Sequence, residues 1–479
     1  MKNTFDDIDA VPQEEWSPER IVRISWFIGA VIAGGIALGV FAATVKLYYI
    51  GACIGAALLV VLVAWQFEAA LLIYVLIAFI PWGETPGLAV GGSGVSKGLF
   101  VSELMLSFLL MIWCGKYLLK QLPKPRIRSG FYKPILFYIS YSIINVIHSY
   151  IFWDIHVRRS HQYLAANVVD LGFRFLSIGA LVMIATSISD AKWLRRITLF
   201  ALIPGIYNAI GNLLGDLPLS APWWPLLTFL PASYFLAVSL DQDKLVPVRM
   251  AAIIAAGGLL FTVLIKNTAW VSGWAGLLAA LAVVILARSR KLFFASIFAM
   301  VIIVMISWPF ISKDIIKKSR DEGDFDRFTL LAGSLRYAIT FPLGIGLGNY
   351  RTYNSFYYGE KWHTTSYTSA HGTYSQHLAE MGIPGTILFL AVLIGGFSWL
   401  LRHYRKMTRG SSKTFLLAAM AQLTGIAFAS IIGDYIIPSY HNGGIVTFSA
   451  TVYSWITWGL AIAHVRISEN TIVNEGKQY

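Results

Sequence analysis

The chain has 479 residues, of which 57% are hydrophobic and 13% charged, with a mean hydropathy of +0.64. Soluble domains carry roughly a quarter charged residues, so the composition excludes an ordinary water-soluble enzyme and points to an all-α polytopic membrane protein. A formal charge of +13 would suggest a nucleic-acid partner in a soluble chain. Here membrane topology accounts for it, and no nucleic acid is expected.

Residues 1–19 are acidic and polar, unlike the basic start and short apolar core of a cleavable signal. A bilayer core of about 30 Å needs about 20 apolar residues per helix. Windows of that size place spans near 22–45, 47–66, 67–83, 100–120, 133–152, 173–189, 196–213, 224–240, 250–265, 270–287, 292–311, 383–401, 414–433 and 444–465. Only Gln66-Phe67-Glu68 separates the second span from the third, so the expected bundle has 12–14 helices. Cys53 and Cys114 both fall inside apolar runs, which indicates neither a disulfide framework nor a thiol metal site.

The loops after spans 4, 6, 8, 10 and 12 hold 17 of the 38 basic residues, among them Arg126, Arg195, Arg249, Arg290 and Arg405. By the positive-inside rule that side is cytoplasmic, and both termini with it. The expected organisation is a cytoplasmic tail at 1–21, spans 1–11 over 22–311, a large extracytoplasmic catalytic loop at 312–382, spans 12–14 over 383–465, and a cytoplasmic tail at 466–479. A loop as long as 312–382 between packed helices is usually functional rather than connective.

Within that loop residues 371–381 read as a short helix, polar on one side and ended by Gly382. On such a helix His371 occupies the first turn and shares a face with Tyr374, Ser375 and Leu378. An imidazole there can take a proton from a hydroxyl near neutral pH. A histidine that caps or hydrogen-bonds an interfacial loop explains the same spacing, and spacing alone favours that plainer reading. His371 and His377 lie six residues apart, about 240° around a helix of 3.6 residues per turn, so they do not share one metal ion. Gly344, Gly346 and Gly348 do not match a phosphate-binding glycine spacing and fit a tight turn better. Asp324-Phe325-Asp326 reads as a solvated acidic stretch.

Arg158, Arg159, Arg174, Arg327, Arg336 and Arg351 all fall on the outer side, where the positive-inside rule does not call for them. A guanidinium fork suits a pyrophosphate, so one or two of these are candidates to bind a polyanion while others snorkel. Lys266 ends span 9, where an ionisable residue either snorkels to the interface or lends charge to an outer site.

With these residues in view, the chain resembles the bacterial O-antigen ligase and O-antigen polymerase superfamily, which includes O-linked oligosaccharyltransferases acting on protein. The likeness rests on Arg327, the Pro-x-Gly-x-Gly turn at 342–346, and His371 with Tyr374, Glu380 and Gly382 leading into an apolar span. It covers about sixty residues, and the hydropathy layout extends it more loosely. The resemblance implies transfer of a glycan from an undecaprenyl-pyrophosphate carrier to an acceptor hydroxyl on the outer face of the bacterial cytoplasmic membrane, without metal or other cofactor. His371 takes the place of the family's proposed catalytic histidine, and Arg327 that of the loop arginine thought to contact pyrophosphate. Arg336, Arg351, Arg158, Arg159, Lys266 and Tyr374 are the expected substrate-binding residues around the pyrophosphate and glycan. Partners so implied are the lipid-linked glycan, a glycan, lipid A-core or protein acceptor, membrane lipids and a chain-length regulator.

Two positions depart from the family pattern. Gly372 stands where Asn is frequent, and the stretch Trp270–Gly276 lacks the arginine of a Ser-Arg-Gly-like motif important in ligases. The second departure favours a polymerase over a lipid A-core ligase. A transporter or lipid-carrier flippase is the rival of another class. Such proteins bury ionisable residues near mid-bilayer, whereas the expected span interiors here carry few charges.

Overall fold

The computed structural model describes residues 66–78, 101–119, 132–159, 163–214, 225–266, 271–298, 301–302, 305, 327–362, 370–407, 410–440 and 444–475. Contacts divide the chain into units 1–70 and 71–479. The expected tail 1–21, the span 22–45, nearly all of the span 47–66 and Asp324–Asp326 lie outside the described residues. Of the first unit, 66–70 are described, and they open α1 (Phe67–Ile77).

The second unit continues with α2 (Val101–Leu118), α3 (Tyr132–Ile151), α4 (Tyr163–Ser187) and α5 (Ala191–Leu214). A 3₁₀ turn (Pro225–Thr228) leads into α6 (Phe229–Ser239), and α7 (Val246–Phe261) ends in a π turn over Thr262–Lys266. Then come α8 (Val271–Arg288), α9 (Arg327–Thr340), α10 (Tyr350–Trp362), α11 (Thr373–Glu380), α12 (Gly382–Lys406), α13 (Ser411–Ala429) and α14 (Gly444–Glu475). Among the described residues, seven helices are long and apolar enough to cross a membrane: α3, α4, α5, α7 with its π turn, α8, α12 and α13. The architecture is that of an all-α polytopic membrane protein.

Close packing of these helices depends on small residues, as expected where lipid removes the hydrophobic drive for association. A Cβ on Gly276 would stand 2.7 Å from the Gly425 carbonyl oxygen, and one on Gly425 would stand 2.5 Å from that of Gly276. The α8 and α13 backbones therefore touch at this crossing.

The two ends of the bundle differ in character. At one end basic side chains tie the helices together: Arg249 Nε donates to the Ser239 carbonyl at 3.0 Å, Arg466 to the Thr186 carbonyl at 3.1 Å, and Lys413 to the Met407 carbonyl at 2.9 Å. The opposite end carries the close of α3, the start of α4, the start of α12 and the turn after α13. Over it fold α9, α10 and α11. These helices build a small core of their own from Tyr337, Ile345, Tyr350, Tyr353 and Ala379, with Val157 from the α3–α4 connection.

One span boundary needs correction. The sequence reading starts a helix at 173 and leaves Arg174 among the outer cations, whereas α4 begins at Tyr163 and contains both Asp170 and Arg174, each about 1–2% exposed. Charges at this spacing look like loop in a hydropathy window. On a helix they are i, i+4 neighbours and bury together.

Candidate active site

The residues that carried the sequence motif converge on α11, two turns of helix held at both ends. At its start the Thr373 N–H donates to the carbonyls of Ser430 (3.0 Å) and Gly433 (3.1 Å), in the turn that follows α13. Gly372 packs so tightly there that a Cβ would lie 2.7 Å from the Ile431 carbonyl oxygen. This gives Gly372 a local reason, because a longer residue would push the turn away. At its finish the segment Pro342–Asn349 wraps the C-terminus. Ile345 N–H donates to Ala379 O at 3.0 Å and Gly346 N–H to Glu380 O at 2.9 Å, closing carbonyls that a helix end leaves open. Gly344 and Gly346 have φ of +90° and +92°, values that exclude most side chains. The glycine run is thus a turn that clamps a helix.

The Glu380 carboxylate continues this clamp by accepting the Tyr350 N–H at 3.2 Å. It thereby caps the start of α10. Burial, aided by the nearby Asp170 carboxylate, holds its carboxyl above the usual range, while Arg174 pulls it back.

His371 lies just before α11. The expectation that it occupies the first helical turn is corrected: the helix begins at Thr373, and His371 has φ +47°. Among the described residues it is the one non-glycine with a left-handed backbone. Such a conformation costs of order 1–3 kcal/mol and gathers at active sites, where the surroundings enforce it. Here the enforcement is visible on both sides: Ala370 N–H donates to Gln376 Oε1 at 2.8 Å, and Thr373 is fixed as described. The imidazole is half-buried.

Beneath α11 runs a buried chain of hydrogen bonds. His377 Nδ1 lies 2.7 Å from the Thr373 carbonyl oxygen, so Nδ1 carries the hydrogen and Nε2 is left as an acceptor. The Tyr138 hydroxyl, 2.7 Å away, donates to Nε2. Its oxygen accepts the Arg174 Nε–H at 3.1 Å. Arg174 Nη1 donates to the Asp170 carbonyl at 2.7 Å, and Nη2 faces Met381 Sδ at 3.8 Å. The Asp170 carboxylate accepts the Tyr440 N–H at 2.6 Å, which brings in the segment after α13. Burial and the Arg174 charge press the His377 imidazole down to about 3. It is neutral at physiological pH.

The other candidates spread around this centre. Tyr374 is half-buried and donates its hydroxyl to the Ala427 carbonyl at 2.9 Å, and burial lifts its phenol to about 12. Arg158, Arg159, Arg336 and Arg351 are exposed. Arg159 lies 5.1, 5.3 and 5.5 Å from the ring centres of Tyr150, Trp153 and Tyr163, and Nη2 donates to the Tyr150 carbonyl at 3.0 Å. Arg327 opens α9 and Lys266 closes the π turn; their side chains lie outside the described residues. Arg174 is corrected from a candidate anion ligand to a buried structural cation. Sequence reasoning missed Tyr138, Asp170 and His377 as members of one network. The i, i+4 spacing of Asp170 and Arg174 signalled part of it, whereas nothing singled out Tyr138. Among the described residues no group of three or more His, Cys, Asp or Glu side chains is placed to hold a metal ion.

No curated protein matches the chain. The family model described as O-antigen ligase matches residues 250–390, a stretch that includes the glycine turn, His371, α11 and the start of α12. His371 and α11 thus lie inside a stretch that is similar to O-antigen ligases.

Proposed function

We propose that the protein is a membrane glycosyltransferase that moves a glycan from a polyprenyl-pyrophosphate carrier to an acceptor hydroxyl, with His371 as general base. The observation that carries this reading is the left-handed, half-buried His371, held rigidly at the end of the bundle opposite the basic loops and within the O-antigen ligase match. The positive-inside rule makes that end extracytoplasmic.

A glycosyl pyrophosphate is already activated, so the protein needs to position, deprotonate and neutralise. His371 takes the acceptor proton as the acceptor oxygen attacks the anomeric carbon. The bond from that carbon to the phosphate oxygen breaks, and the pyrophosphate leaves on its lipid with inversion at carbon. Positioned general bases contribute about 10²–10⁴ in rate. Arg327, with the exposed Arg159, Arg336 and Arg351 and with Lys266, supplies charge to the departing pyrophosphate. No step of this reading is routed through a metal.

The absence of an arginine from Trp270–Gly276 favours polymerisation over transfer to lipid A-core. Reconstituted protein given lipid-linked repeat units alone should then form polymer. Product that appears only after lipid A-core or a protein acceptor is added would make it a ligase or an oligosaccharyltransferase. A translocation pathway would draw on Asp170 and Arg174 inside α4, but both are buried and tied to Tyr440 and Tyr138.

A further inference from the structure

The bonds around α11 divide into two kinds. Those at its ends are to its backbone: the 430–433 turn holds the start, and the glycine turn holds the finish. Such bonds lie close to the helix axis and fix its height, whereas its roll answers to side-chain bonds: Tyr374 to the Ala427 carbonyl, Glu380 to the Tyr350 N–H and His377 to Tyr138. Of these, the bond from His377 to Tyr138 is the one that ties α11 to α3. Side chains reach about 6 Å from a helix axis, so a roll of about 10° carries an imidazole there by about 1 Å. A displacement of that size at a reacting group can cost about 10²-fold in rate.

We infer that His377 is a positioning residue: through Tyr138 and Arg174 it fixes the roll of α11 against α3 and α4, and so sets where the His371 imidazole meets the acceptor hydroxyl. This rests on the transfer reading above. The geometry requires a side chain that donates to the Thr373 carbonyl and accepts from Tyr138 at once, and the neutral imidazole does both at 2.7 Å. Its ring is further stacked on Phe389 of α12, with centres 4.1 Å apart. Tyr138 in turn is oriented by the Arg174 Nε–H, so this bond refers the roll to the buried face of α3 and α4. His377 touches no substrate in this account.

The test uses the full-length protein in liposomes with a polyprenyl-pyrophosphate-linked repeat unit as donor, and three variants: Tyr138→Phe, His377→Leu and His377→Gln. Tyr138→Phe and His377→Leu should lower kcat by about 10- to 100-fold with KM for donor within about twofold. The double variant should be no worse than the weaker single one, because both remove one hydrogen bond. His377→Gln should recover to within about threefold of wild type, since its amide donates to Thr373 while its oxygen accepts from Tyr138. Hydrogen exchange of the 371–376 amides should quicken in Tyr138→Phe and His377→Leu and stay near wild type in His377→Gln. A Gln variant as impaired as Leu, or a fall in kcat with unchanged exchange, overturns the positioning role. If His371→Ala retains transfer, it is the catalytic reading that fails, and the exchange pattern still decides whether His377 fixes the helix.

Discussion

Arg174 and Arg159 are fifteen residues apart in sequence and make opposite use of the same side chain. Arg174 is about 2% exposed, donates to the Tyr138 hydroxyl and the Asp170 backbone carbonyl, and interacts electrostatically with the Asp170 and Glu380 carboxyls. Arg159 is exposed and rests on the faces of Tyr150, Trp153 and Tyr163. The first is a cation the fold has consumed. The second is held in place by rings that leave its remaining donors open to an anion. Membership of the same outer stretch therefore says little about role, and what separates the two is whether the protein itself meets the charge.

The contrast is sharpest in stability. Removing one member of a buried charged cluster leaves the others uncompensated and costs about 3–5 kcal/mol. Arg174→Met should accordingly show a markedly lower melting temperature in detergent, whereas Arg159→Ala should melt much closer to wild type. Equal melting of the two variants would break the distinction.

The neutral His377 beneath α11 gives a pH test of the same buried region. Its imidazole titrates near 3 in place of the ordinary 6.5. Below pH 6.5 the unfolded chain takes up a proton that the folded chain refuses, so stability present above 6.5 is lost progressively as pH falls toward 3. At about pH 4.5 the loss from this residue is about 2–3 kcal/mol. Melting of wild type should fall more steeply between pH 6.5 and 4.5 than melting of His377→Gln. Parallel curves would mean that the imidazole is charged, or is exposed, in the fold.

The smallest effect belongs to Arg159. An exposed cation–π nest is worth about 0.5–1 kcal/mol. If Arg159 contacts the pyrophosphate as proposed, Arg159→Ala should raise KM for the lipid-linked donor a few-fold and leave kcat nearly unchanged. A large loss of kcat would move it to the reacting centre.

The sequence makes the helical layout legible because hydropathy reports it directly. The spans expected at 100–120, 133–152, 196–213, 270–287 and 383–401 correspond to α2, α3, α5, α8 and α12 within a few residues, apart from a longer tail on α12. The same logic failed at α4, where Asp170 and Arg174 lowered the apparent hydrophobicity of a segment whose charges are met internally. The short helix at 371–381 was legible through Gly382, whose φ of +65° does end α11. His371 being outside that helix was not, since no pattern of residue types announces a left-handed backbone. Nor could spacing reveal the partner of His377. Tyr138 is 239 positions away, and only folding brings the two rings together.

The central claim is that His371 removes a proton from the acceptor as the glycosyl bond forms. The most direct measurement is the initial rate of glycan transfer by purified His371→Ala in liposomes, alongside its melting temperature. The account predicts a rate lower by about 10²–10⁴ in a protein that melts like wild type. A rate close to wild type would contradict it.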